Sequence, residues 1–116
     1  MVYNDKNNIL SVLNDYTMDN SDSVGMEIAE NFRRRRIEKN QTREQIAVKA
    51  GIAVSNVARF EQKGLISLGN LISLAKALGY LSDIRSLFSQ PKFDTMEELT
   101  QIRNNSNKKQ IRTHWS

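Results

Sequence analysis

Cysteine is absent from the 116 residues, and histidine occurs once, at His114. The first absence excludes disulfides, thiolate metal sites and a cysteine nucleophile. The second leaves nothing from which to build a histidine-based triad or a multi-histidine metal site. No apolar run approaches the ~20 residues that span a bilayer. No basic segment leads into a short apolar one as a secretory leader would, so the expectation is a cytoplasmic protein without a membrane partner. Alternation of apolar and polar residues is too short to build a sheet. One possible strand is residues 110–115, where Ile111, Thr113 and Trp115 alternate with Arg112 and His114. There is no internal repeat, no phosphate-cradling glycine loop and no dinucleotide pattern. With no nucleophile–base pair and no ligand cluster, the sequence reads as a non-enzyme that needs no cofactor.

What is there is a small helical protein. The length suits one domain with tails, and 39% hydrophobic with 26% charged residues is an ordinary folded composition. The net charge of +4 is unevenly spread: residues 1–23 carry −3, residues 24–90 carry +5 and residues 91–116 carry +2. A basic centre favours a polyanionic partner, of which nucleic acid is the commonest. The division expected is an N-terminal extension (1–23), a central domain (24–90) and a C-terminal tail (91–116).

In the extension, Ile9, Val12, Leu13 and Tyr16 make a helical stripe, with Leu10 beside it. That short helix either packs on its own domain or is frayed, or else it docks a partner or extends a dimer. Asp19 to Ser23 reads as a linker, with Ser23 as the cap of the first core helix and Glu27 and Glu30 in its early turns. Ile28 and Phe32 are expected to face inward. Arg33 to Arg36 form a run of four, which on a helix points all the way round, so some contact a partner and others pair with acids or stay solvated.

The next helix opens at Thr42 as N-cap, with Gln45 three residues on as in a capping box, and stops at Gly51. A further short helix carries Val57 and Phe60 inward and ends at Gly64. Ser67 caps a fourth helix that closes at Gly79, and residues 83–88 read as a short fifth, followed by Pro91. Ala47 is small where the second and third helices must cross closely. Two short helices, a glycine turn between them and an exposed second helix are the requirements of a helix-turn-helix.

On these residues the stretch 24–79 resembles the lambda-repressor-like helix-turn-helix regulators, the Cro/CI or XRE family. The matching features are Arg36, Thr42, Ile46–Ala47, Gly51–Ile52, Val57, Phe60–Glu61, Gly64 and the run SLGNLISLAKALG. The resemblance implies an all-α, five-helix domain that binds DNA, usually as a homodimer on an inverted-repeat operator, in a bacterial, nucleoid-associated setting. It implies base reading by Val54, Ser55, Asn56 and Arg59 at the start of the third helix. Asn56 suits adenine, Arg59 guanine and Val54 a thymine methyl. Thr42, Arg43, Gln62, Lys63 and Arg33 are the implied phosphate contacts, which position rather than specify. Glu61 is implied to pair structurally with a first-helix arginine, Arg36 or alternatively Arg33. The sequence departs from the family in having Arg43 for glutamine, Ala53 for a serine cap (a loss of ~1 kcal/mol), and Arg35 and Gln41 where leucine is usual.

Beyond the domain, LGYLSDIRSLFSQP, then FDTMEEL, then a basic tail ending KKQIRTHW is similar in order to HipB-type antitoxins. That likeness implies autoregulation of an operon and binding of a HipA-like serine/threonine kinase toxin; stand-alone phage-type or restriction-modification controller repressors share the same core. Residues 103–116 hold no acid and several basic groups, with no core-forming character in Asn104 to Asn107. Trp115 is either an exposed terminal residue or an anchor for a partner pocket. For the dimer, the fifth helix with Leu81 and Ile84, and the segment 93–99, are the expected surfaces.

Overall fold

The computed structural model describes residues 20–106 and 108, which form two units, one ending at Ile84 and one beginning at Arg85. Six α-helices and no strand occur among the described residues: α1 (Ser21–Glu38), α2 (Arg43–Ala50), α3 (Val54–Lys63), α4 (Leu68–Leu78), α5 (Leu81–Arg85) and α6 (Met96–Ser106). The fold is all-α: the domain has the five helices expected (α1–α5), and a further helix, α6, lies in the segment read as a tail. The stripe at residues 9–16, the possible strand at 110–115 and Trp115 lie outside the described residues.

In the first unit α1 packs on α3, and α2 packs on both α3 and α4. The largest fully buried side chains are Phe60, Ile46, Leu74 and Val57. They come from α2, α3 and α4, so the core sits where those helices meet. From α1, Ala29 and Phe32 close it, and the Phe32 and Phe60 rings lie tilted at 53° with centroids 5.4 Å apart. This is a favoured aromatic geometry.

Helix ends follow local chemistry. Thr42 accepts from the Gln45 amide at 3.0 Å, and the Gln45 side chain accepts from the Thr42 amide at 2.8 Å. This reciprocal box satisfies two otherwise orphaned amides. Ser67 caps α4 through the Asn70 amide at 3.2 Å. Ala53, at the start of α3, provides no side-chain cap. Gly51, Gly64 and Gly79 end α2, α3 and α4 in the left-handed region. Gly64 has a second reason to be glycine: a Cβ there would lie 2.6 Å from the Met26 amide nitrogen. A Cβ at Gly25 would likewise lie 2.7 Å from the Gly64 carbonyl oxygen. The N-terminal end of α1 and the end of α3 thus touch backbone to backbone.

Several expectations need correction. The cap of α1 is Asn20, not Ser23; Ser23 is the third helical residue and bonds back to Asn20. Both residues are good caps three positions apart, and the reciprocal box uses both. Ile28 does not face inward: it is 44% exposed, while Ala29 is fully buried. The tight crossing with α3 admits the smaller side chain and pushes the larger to the flank. The fifth helix is Leu81–Arg85 rather than 83–88, and Phe88 instead takes a left-handed φ of 57°. Residues 103–106 are helical, as the end of α6.

The second unit is built differently. No residue of α6 is buried. Its start is capped by Thr95, which accepts from the Glu98 amide at 3.1 Å. Leu87, Phe88, Phe93 and Met96 all stand exposed.

Candidate nucleic-acid interface

The geometry of α3 rests on one buried carboxylate. Val57 and Phe60 are anchored in the core and Glu61, the next residue, has a side chain with no solvent exposure. Arg36 of α1 grips it from two nitrogens, Nε to Oε2 at 2.7 Å and Nη2 to Oε1 at 2.9 Å. This is the bidentate fork that suits guanidinium to carboxylate. The Arg36 Nη1 also donates to the Gln41 carbonyl at 2.8 Å, tying in the α1–α2 loop. Arg43, the first residue of α2, adds its Nε to Oε1 at 3.0 Å. One carboxylate therefore fixes α1, α2 and α3 relative to one another.

Burial pushes the Glu61 carboxyl up, but the hydrogen bonds from Arg36 and Arg43, together with their charges, outweigh it and hold the group below the ordinary carboxylate range. The bond from Glu61 raises Arg36 above its usual value, against the opposing effect of burial. Both groups are therefore charged at neutral pH. The sequence pairs Glu61 with one first-helix arginine, Arg36 or Arg33, and assigns Arg43 to phosphate; the structure selects Arg36. In the structure Arg43 is divided: its Nε faces Glu61 while the side chain remains about one-third exposed.

The other arginines of the run separate as a helix requires. Arg34 pairs with Glu30 and Arg35 with Glu38 across exposed surface. Arg33 makes no ion pair among the described residues and stands exposed one turn before Arg36. The distal end of α1 is secured elsewhere: Lys39 donates to the Leu78 carbonyl and lies 5.6 Å from the Tyr80 ring centroid.

With its inner face fixed, α3 turns a polar face outward. Ala53, Val54, Ser55 and Arg59 are exposed and Asn56 is half-buried. Asn56 and Arg59 share an open depression of about 390 Å³ with Leu65, Ile66, Ser67 and Asn70. The structure thus brings the start of α4 beside the middle of α3. Asn70, which the sequence reading leaves within a helix, stands on the same surface as the two base-reading candidates. Thr42, Gln62 and Lys63 are exposed at the start of α2 and the end of α3. No helix among the described residues is long and apolar enough to cross a membrane.

Comparison with known proteins agrees with this geometry. The helix-turn-helix family model matches residues 32–84, from the core residue Phe32 of α1 through α5. Neither the curated proteins nor the solved structures give a match. Residues 32–84 are thus similar to the helix-turn-helix family, a match that supports a DNA-binding transcription regulator of the lambda-repressor-like, XRE kind.

Proposed function

We propose that the chain is a sequence-specific repressor that binds an inverted-repeat operator as a homodimer. The observation that carries this reading is the exposed face of α3 on an anchored inner face. Val54, Ser55, Asn56 and Arg59 enter the major groove, where Arg59 reads guanine, Asn56 adenine and Val54 a thymine methyl. Thr42, the free edge of Arg43, Gln62, Lys63 and Arg33 hold phosphates and set the register. Two-fold symmetry supplies the second half-site, with α5 and the segment 93–99 as contacting surfaces. Binding falls steeply with salt, because several phosphates are neutralised. The test is a titration of the chain on its own upstream DNA at 50 and 200 mM salt. A loss of affinity of at least about a hundredfold supports the reading. Salt-independent binding, or none, contradicts it.

The finer reading is that this repressor is the antitoxin of a HipBA-like pair and binds a HipA-like serine/threonine kinase toxin. Its support is the order of segments after the domain and the exposed Leu87, Phe88, Phe93 and Met96, apolar side chains of the kind that mark protein contacts. The second reading is a stand-alone phage-type or controller repressor, in which those side chains meet a second copy. A tagged pull-down after nuclease treatment separates the two. The antitoxin reading expects one stoichiometric kinase-like protein, and the stand-alone reading expects none.

A further inference from the structure

The side chain of Asn70 has no task within the fold. Its backbone amide completes the Ser67 cap of α4 at 3.2 Å, but its side-chain amide bonds to nothing among the described residues. Asparagine is also a poorer helix former than alanine, so α4 gains nothing from it. Asn70 is half-buried and lines the depression of about 390 Å³ that it shares with Asn56 and Arg59 of α3. We propose that Asn70 is a positioning residue for Arg59. Its Oδ1 accepts from a guanidinium N–H that the base leaves unused, and this holds the fork toward the major groove. The role rests on the base reading proposed above for α3.

Three features of the depression carry the assignment. The first is a set of unused donors. Arg34, Arg35, Arg36 and Arg43 each meet a carboxylate. Arg59 has neither an ion pair nor a side-chain hydrogen bond among the described residues. Its guanidinium offers several N–H donors, of which a guanine edge takes only the bidentate pair. Those left over need an acceptor once DNA has displaced water from them. The second feature is the acceptor. The polar side chains that line the depression with Arg59 are Asn56, Ser67 and Asn70. Asn56 is assigned to adenine, and the Ser67 hydroxyl already accepts from the Asn70 amide. That leaves Asn70 Oδ1. A neutral amide oxygen aligns the guanidinium, whereas a carboxylate such as Glu61 would compete with DNA for its charge. The third feature is shielding. Leu65, 44% exposed, and the half-buried Ile66 line the same depression. DNA closing over them excludes water, and a hydrogen bond is stronger in such surroundings.

The test uses the full chain and a DNA duplex bearing the site that the chain selects from random DNA. A second duplex has the base pair whose preference Arg59→Ala removes changed in both half-sites. The readout is discrimination, the ratio of the two affinities. Asn70→Ala is expected to lower discrimination at least about fivefold, with its urea unfolding curve unchanged. Added to Arg59→Ala, it is expected to weaken binding to the selected duplex by no more than about a further twofold. Asn70→Asp keeps the acceptor but adds a negative charge toward DNA. It is expected to hold discrimination within about twofold of the native value while weakening both duplexes alike. Equal loss on both duplexes with Asn70→Ala overturns the proposal and makes Asn70 a contact to the DNA backbone. So does the same loss with and without Arg59, which makes Asn70 an independent reader. If Arg59→Ala removes no base preference, the base reading of α3 fails first and the role of Asn70 with it. If Asn70→Ala alters the unfolding curve, Asn70→Leu, similar in size but without an acceptor, tests the same bond.

Discussion

Phe60 and Phe88 mark the contrast between the two units of this chain. Phe60 is sealed among α1, α2 and α4 and directs its neighbour Glu61 into a network of two arginines. Phe88 stands fully exposed on a left-handed backbone that most residues avoid. The first unit buries a core of side chains from four helices and, among the described residues, leaves no buried side-chain polar atom unpartnered, so α3 is anchored from behind. The second exposes Leu87, Phe88, Phe93 and Met96, and no residue of α6 is buried. A surface that reads DNA needs rigid support from behind. A surface that meets a protein keeps its apolar groups in reserve until the partner arrives.

This contrast is broken most severely at its core. Phe60→Ala is expected to cost about 3–5 kcal/mol, read in urea unfolding, whereas Phe88→Ala changes stability by no more than about 0.5 kcal/mol. Comparable losses at both positions would erase the distinction between the units. Next comes the network. Glu61→Gln leaves Arg36 and Arg43 without their shared carboxylate and is expected to cost about 3 kcal/mol at pH 7. The sign with pH follows from the depressed carboxyl. Its contribution is complete above the ordinary carboxylate range near pH ~4.3 and is lost as pH falls through the folded value. The gap between the native chain and Glu61→Gln is therefore expected to narrow in melts at pH 3. A constant gap would show that Glu61 acts through shape rather than charge. The smallest effect is a gain: Ala53→Ser restores a cap at the start of α3 and is expected to stabilise by ~1 kcal/mol, measured by the same unfolding curves.

Much of the first unit is legible in the sequence because its signals are local. Thr42 with Gln45, Ser67, and the glycines 51, 64 and 79 each act within one turn of the backbone they terminate. Ile28 and Ala29 show the limit of that reading. Periodicity favours the larger apolar side chain for the interior, but the closeness of α1 to α3, set by the touching backbones of Gly25 and Gly64, reverses the choice. The division of Arg43 between Glu61 and solvent is equally a matter of three helices meeting, which no local pattern announces. The helix α6 did have a signal: Thr95 followed by Glu98 is the spacing of a helix start. Its polar run of Asn104 to Ser106 hides that signal in a reading by composition.

The central claim is that α3 reads bases through Arg59. The most direct measurement is selection of binding sites from random DNA by the native chain and by Arg59→Ala. The account predicts a two-fold symmetric site for the native chain. For the variant it predicts lost preference at one base pair of each half-site and affinity lower by about 1–3 kcal/mol. An unchanged site and unchanged affinity in the variant would contradict the assignment of α3 to the groove.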